Sequence, residues 1–303
     1  MILCVAPSPA IDVTYRVTGL RVGGTNRVVA VTHRPGGKAV NVARVLTTIG
    51  EPAVLLAPVG GDSGALFRAG LAARGVAAEL VDAGASTRRT VTVVDDATGE
   101  ATLLSEPAVV ADWTVVADRF TALLPGCDVV VVSGSLPRGA PVAAVADLVR
   151  AARRADRPVV VDTSGPALAE AVAAGPTVVK PNADELAELT GNADPVAAVG
   201  ALVDQAAVVA SLGADGLIAG APDGCWRARS AAELHGNPTG AGDALVAGLA
   251  AGLANGRWLP DLLVDAVALA AAAVLQPGAG DVDRDDVARL RAGVRVERLE
   301  SVR

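Results

Sequence analysis

Aromatic residues are almost missing from this chain of 303 residues: two Phe, one Tyr and three Trp make up 2% of it. Lysine is scarcer still, since of 26 Lys plus Arg only Lys38 and Lys180 are lysines. A formal net charge of −7 leaves little room for the basic face that a nucleic-acid partner demands. Cys4, Cys127 and Cys225 are odd in number, far apart and each in or beside an apolar run, so they read as core filler rather than a disulfide framework or a metal set. His33 and His235 have no second ligand nearby, and neither His-Glu-x-x-His nor Gly-x-Ser-x-Gly occurs, which removes metalloprotease and serine hydrolase chemistry. No apolar run approaches the roughly 18 residues of a membrane span, the longest candidates being 244–254 and 266–275, so no membrane partner is expected. The first residues carry no basic n-region and run into Pro7-Ser8-Pro9 like a buried strand, so a cytoplasmic protein is expected.

Apolar residues, by contrast, make up 51% of the chain, enough for a large α/β core. Short apolar runs at 2–6, 53–59, 129–133, 159–162, 178–180, 208–212 and 217–219 read as strands. Helical patterns fall between them at 40–49, 65–74, 114–124, 142–154, 167–173 and 195–203. Near-continuous runs such as Val129-Val130-Val131-Val132 fit strands buried on both faces, hence a mostly parallel sheet between two layers of helices. Ligands of such sheets gather at the carboxyl ends of the strands, where Ser133-Gly134-Ser135, Asp162-Thr163-Ser164, Lys180-Pro181-Asn182 and Ser211-Leu212-Gly213 fall. Two stretches alternate with period two instead, 12–33 and a hairpin within 90–104, and so predict a small sheet with one wet face that could cover a cleft.

The segment Asn237-Pro238-Thr239-Gly240-Ala241-Gly242-Asp243 leads into an apolar run that reads as a buried helix. Gly240 and Gly242 let the backbone turn tightly, and the helix N-terminus presents unpaired N–H groups with Asp243 at its mouth. A carboxylate there can take a proton from an alcohol while the N–H groups stabilise a transferring phosphoryl group, which is what a small-molecule kinase needs. An Asp at a helix start is also a common cap. A dinucleotide fingerprint would need glycine at Leu245, and a Walker loop would need Ser or Thr at Ala39 after Lys38, so neither fits. The two lysines lie in motif-like surroundings, Gly36-Gly37-Lys38 and Lys180-Pro181-Asn182, where a compact ammonium does a job that a guanidinium does not.

The run from Gly36 to Arg44 and the segment 237–248 resemble the two signature regions of the ribokinase-like carbohydrate kinases of the phosphofructokinase B type. Ser8-Pro9-Ala10-Ile11-Asp12 resembles the sugar-binding segment of that family and Ser86-Thr87-Arg88 the lid segment of members acting on phosphorylated ketohexoses. The segments 133–137, 180–185 and 211–216 resemble further counterparts in the same order, so the likeness covers nearly the whole chain. The resemblance implies one Rossmann-like three-layer domain over 1–303, a β lid formed discontinuously by about 12–33 and 86–105 that pairs two subunits as a homodimer, and phosphorylation of a sugar or sugar phosphate with ATP and Mg²⁺. It makes Asp243 the base, with no need for a raised pKa, and the N–H groups of Ala241, Gly242 and Asp243 behind Gly240 the anion hole. Asp12, Gly37 and Asn41 would hold sugar hydroxyls, and Arg88, with Arg89 beside it, would gather Lys38 and Ser135 around the sugar's phosphate. On the cofactor side Lys180, Asn182 and Glu185 would serve the nucleotide phosphates, Glu185 reaching the metal through water or phosphate, and Ser211, Gly213 and Gly216 would lie along the nucleotide. Ala39 stands where relatives carry glycine, Ser8 where they carry asparagine, and Thr25 near where some carry lysine. Asn237-Pro238 resembles tagatose-6-phosphate kinases more than 1-phosphofructokinases. The expected acceptor is tagatose 6-phosphate or fructose 6-phosphate, then fructose 1-phosphate; an unphosphorylated sugar or a nucleoside, or a sugar-binding regulator without catalysis, are the alternatives.

Overall fold

A computed structural model describes residues 1–300. Its strands are β1 (Ile2–Val5), β2 (Ala10–Val17), β3 (Ala30–Gly36), β4 (Ala53–Val59), β5 (Ala78–Asp82), β6 (Arg88–Asp95), β7 (Ala101–Ser105), β8 (Val129–Ser133), β9 (Val159–Asp162), β10 (Val178–Val179), β11 (Ala207–Ser211), β12 (Leu217–Ala221), β13 (Gly224–Ser230) and β14 (Val294–Leu299). Its helices are α1 (Lys38–Ile49), α2 (Gly61–Ala72), α3 (Thr114–Leu123), α4 (Ala144–Arg154), α5 (Pro166–Ala173), α6 (Ala183–Thr190), α7 (Pro195–Gly200), α8 (Ala241–Ala254), α9 (Asp261–Val274) and α10 (Arg284–Arg291).

Ten strands form one sheet in the order β14-β13-β12-β11-β10-β9-β8-β1-β4-β5. From β5 to β11 every pairing is parallel, and β11 through β14 close the edge antiparallel. Alternation along each buried strand then feeds two cores. Ile2, Cys4, Val129, Val131 and Val160 meet α1, α8 and α9 on one face. Leu3, Val5, Val130, Val132 and Val161 meet α4, α5 and α7 on the other. With few aromatics to fill space, helices approach closely instead: a Cβ on Gly248 would stand 2.4 Å from Ala266 Cα, and one on Gly252 would stand 2.6 Å from Leu262 Cβ. Such contact between α8 and α9 needs the small residues that the sequence supplies.

The second sheet, β3-β2-β6-β7, combines the two alternating stretches. It begins at Ala10 and extends to Gly36, beyond the 12–33 expected, while 18–29 form a connection rather than strand. The expected main-sheet strands match to within two residues at each end, the largest differences being the extra Gly220 and Ala221 in β12. Strands β5, β13 and β14 and helices α6, α9 and α10 escaped the reading; in β14, for instance, half-exposed residues such as Val294, Val296 and Leu299 carry no buried-run signature.

Candidate active site

Three parallel strands, β8, β9 and β10, end on one patch of floor, and each delivers a polar group there. Ser133 at the end of β8 donates to Asp162 Oδ2 at 3.1 Å, and Asp162 ends β9 at 1% exposure. Lys180, just after β10, lies with Nζ 3.4 Å from Asp162 Oδ1, and Lys38, the first residue of α1, donates to the same oxygen at 3.0 Å. The only two lysines of the chain therefore share one buried carboxylate. Lys38 loses some basicity to burial, but Asp162 above all, with Glu185 and Asp243, outweighs this and holds its ammonium above the usual value.

Asp243, in the first turn of α8 and 8% exposed, faces the same floor. Burial and the nearby Asp162 push its carboxyl up to about 7, against the opposing pull of Asn41, Lys38 and Lys180. The sequence reading allowed this carboxyl to stay low; burial, the largest influence on it, raises it instead. Asn41 Nδ2 donates to Asp243 Oδ2 at 2.8 Å, while its Oδ1 is buried without a partner. Gly240 before the helix has φ 89°, and a Cβ there would sit 2.9 Å from Ala279 Cα, so only glycine turns the chain here. The N–H groups of Gly242 and Asp243 have no protein acceptor among the described residues, whereas that of Ala241 donates to the Pro238 carbonyl at 3.2 Å. The cradle thus offers two free donors where three were expected. A Cβ on Gly242 would lie 3.6 Å from Lys180 Nζ, so an ammonium stands over the same helix end.

Toward the small sheet, Asp12 in β2 lies against Gly36, where a Cβ would overlap its Oδ2 at 1.9 Å. Burial raises its carboxyl to about 6 in spite of Arg88 and Arg44. Gly37, with φ 108°, carries the chain past the Ser8 carbonyl into α1. Beside this lies a cavity of about 450 Å³ lined by Ser8, Arg88, Ser105, Glu106, Ser135 and Arg138 among others. Arg88 Nη1 reaches Ser105 Oγ at 2.9 Å, and its Nε is buried without a partner. Glu106, the one acid in the lining, turns its carboxylate to the Arg89 N–H at 2.7 Å. The structure thus brings Arg88 and Ser135 together but not Lys38 or Arg89, neither of which lines this cavity. The second cation is Arg138, which the sequence reading passed over inside Ser133-Gly134-Ser135-Leu136-Pro137-Arg138.

On the other flank, Asn182 and Glu185 satisfy each other in a capping box: Asn182 N–H donates to Glu185 Oε2 at 2.9 Å and Glu185 N–H to Asn182 Oδ1 at 2.8 Å. Ser211 pairs across to Asn182, which sets this helix start beside the end of β11. A Cβ on Gly213 would meet open space, whereas one on Gly216 would stand 2.3 Å from the Ala228 carbonyl. Gly216 is therefore fixed by packing onto β13, and Gly213 is the glycine at the surface.

The family described as pfkB family carbohydrate kinase matches residues 1–285. Among solved structures, phosphofructokinase-2 from Escherichia coli in complex with fructose-6-phosphate is 28% identical, with 96% of this chain and 98% of that one covered at a TM-score of 0.87. A possible 1-phosphofructokinase from Thermotoga maritima is 25% identical over 99% and 100% at 0.84. Ribokinase from Arabidopsis thaliana, complexed with ribose and ATP, is 20% identical over 96% and 98% at 0.77, a likeness of fold alone.

Proposed function

Since the chain belongs to the pfkB family of carbohydrate kinases, we propose that it transfers the γ-phosphoryl group of ATP to a hydroxyl of a phosphorylated ketohexose, fructose 6-phosphate or tagatose 6-phosphate first and fructose 1-phosphate second. The observation that carries this substrate class is the cavity where Arg88 and Arg138 stand together in a chain of net charge −7. Phosphofructokinase-2, similar to this chain throughout, is described with fructose-6-phosphate bound.

Asp243 is the proposed base, and Asn41 fixes its orientation through Nδ2 while its unpaired Oδ1 is left to accept from a sugar hydroxyl. Asp12, at the edge of the same cleft, takes a second hydroxyl. The free N–H groups of Gly242 and Asp243, with Lys180 above them, hold the phosphoryl group, and Lys38, on the same Asp162 oxygen as Lys180, balances charge beside it. Nucleotide phosphates run from there past Asn182 toward Ser211 and Gly213. Among the described residues no group of three or more His, Cys, Asp or Glu is placed to hold a metal ion; the proposed Mg²⁺ arrives on phosphate oxygens and keeps its waters, with Glu185 the residue to reach it. Bound there, Mg²⁺ would neutralise phosphate charge. Val28, Val29, Val31 and Leu104 of the lid stay exposed, which favours a second copy of the chain as their cover and hence a homodimer. No helix among the described residues is long and apolar enough to cross a membrane.

Measuring ADP release over a panel of sugars and sugar phosphates tests the reading. The highest kcat/KM is expected on a ketohexose phosphate. An unphosphorylated sugar or nucleoside that outperforms every sugar phosphate overturns the substrate class, and tight sugar binding with no turnover would instead make the protein a regulator.

A further inference from the structure

Arg44 belongs to the same stripe of α1 as Asn41, three residues on, and Thr48 continues it at the seventh. Along that stripe, away from the proposed transfer site, lies a recess of about 200 Å³ lined by Arg44, Thr48, Arg74, Val76 and Asp281. Arg44 is 5% exposed and pairs with Asp281, which Arg34 Nη1 also reaches at 3.2 Å. Arg44 and Arg34 thus share one carboxylate, and the recess lining adds the guanidinium of Arg74 and no further acid, in a protein that is acidic overall. Consistent with that excess, burial together with Arg74 and Arg34 lowers the basicity of Arg44 in spite of Asp281. A cavity with uncancelled, forked donors suits an oxyanion that can take several charge-assisted hydrogen bonds at once.

We propose that this recess is a second anion site, separate from the sugar-phosphate cavity, for a phosphate-type dianion, free or carried on a small ester. The loop that carries Asp281 gives it a line to the floor. Arg44 Nη1 donates to the Ala279 carbonyl at 2.9 Å. Ala279 and Gly280 in turn wall in Gly240, and Gly280 touches Asn41 closely enough that a Cβ would stand 2.7 Å from its Oδ1. An anion held between Arg44 and Arg74 restrains the loop that buttresses both the turn before α8 and the partner of Asp243.

The test uses the full chain without nucleotide or sugar, with inorganic phosphate, pyrophosphate and phosphoglycolate as probes against chloride at matched ionic strength. Three proteins are compared: wild type, Arg88→Ala, and Arg74→Gln, an exposed position outside the proposed catalytic machinery. Saturating dianion is expected to raise Tm by about 2 °C or more and to slow amide exchange in 278–281 and 44–48, in wild type and Arg88→Ala alike. Arg74→Gln should weaken that effect about tenfold in affinity while its Tm without anion and its kcat/KM at low anion stay as in wild type. Tighter binding of phosphoglycolate than of phosphate identifies an esterified occupant, and the reverse a free one. Equal stabilisation of wild type and Arg74→Gln, its loss in Arg88→Ala, or no stabilisation at all overturns the proposal.

Discussion

At the floor of the cleft the charged groups bond to one another, and at its mouth Arg88 bonds only to hydroxyl and carbonyl oxygens. Asp162 takes both lysines and a serine hydroxyl before any ligand arrives, and Asn41 already holds Asp243. Beside the small sheet, Arg88 and Arg138 face an open cavity, and the one acid that lines it is tied to a backbone N–H. A compensated, buried floor loses little freedom when the reaction begins, which suits a part whose task is the same for every acceptor sugar. An uncompensated mouth gains most from a ligand that brings the missing charge, which suits a part whose task is choice. Substitutions at the floor should therefore strike turnover and folding for all substrates, and those at the mouth should discriminate between substrates.

The largest effect falls on the proposed base. Asp243→Asn keeps the shape and much of the hydrogen bonding but accepts no proton, so kcat should drop by roughly 10²–10⁴ on every sugar while binding changes little; more than a third of wild-type kcat would remove the assignment. In wild type, kcat/KM should rise with pH through about 7, because only the carboxylate accepts the proton. Stability runs the other way. The folded state binds this proton more tightly than the unfolded chain, whose carboxyl keeps the ordinary value of 3.8, so Asp243 costs stability progressively as pH rises from about 4 to about 7. Melting curves across that window should show wild type losing up to about 4 kcal/mol from this group and Asp243→Asn losing less.

Next comes the other floor carboxylate. Asp162→Asn leaves Lys38 and buried Lys180 without their counter-charge, a change that costs about 3 kcal/mol or more in comparable buried pairs. It also takes a negative charge from beside Asp243 and leaves two ammoniums facing it, so the acidic limb should move below 7. A limb that stays at 7 in the variant would mean that burial alone sets the Asp243 value.

At the mouth the expected losses are smaller and selective. Each charge-assisted hydrogen bond contributes about 1.5–3 kcal/mol. Arg88→Ala or Arg138→Ala should therefore lower kcat/KM on the phosphorylated sugar by roughly ten- to a hundred-fold and leave the residual rate on the unphosphorylated sugar almost unchanged. Equal losses on both sugars would make these arginines supports of the lid and erase the contrast between floor and mouth.

The floor was the more legible half. The scarcity of lysine marked Lys38 and Lys180, and Gly240 and Gly242 marked the helix start, because both signals are local: a rare residue type, and a turn that excludes side chains. What the letters did not carry was who meets whom. Lys38 was expected at the sugar's phosphate, yet as the first residue of α1 its side chain runs back over the ends of β9 and β10 to Asp162. Arg138 was invisible as one of many arginines, since only the fold opposes it to Arg88 across a cavity formed by residues 8, 88, 105 and 135. Parallel strands were readable as buried valine runs, but the antiparallel edge β12 to β14 depends on pairings between residues 217 and 299 that no local pattern encodes.

The smallest expected effect lies at the seam between the two regions, at Ala39, the residue that departs from the glycine of relatives beside Lys38. A methyl that pointed into the cleft would crowd the sugar, and removing it would relax substrate choice. Ala39 is instead 0% exposed and belongs to the core beneath α1. Ala39→Gly should therefore act on the fold: a buried methyl contributes about 0.8 kcal/mol and glycine in a helix costs up to about 1 kcal/mol against alanine, less for a site in the first turn. A loss of roughly 1–2 kcal/mol in denaturant melts is expected, with KM for sugar phosphates and the ratio between phosphorylated and unphosphorylated sugars moving less than about threefold. A larger shift in that ratio, with stability unchanged, would put Ala39 at the mouth and move the boundary between the two regions into the first turn of α1.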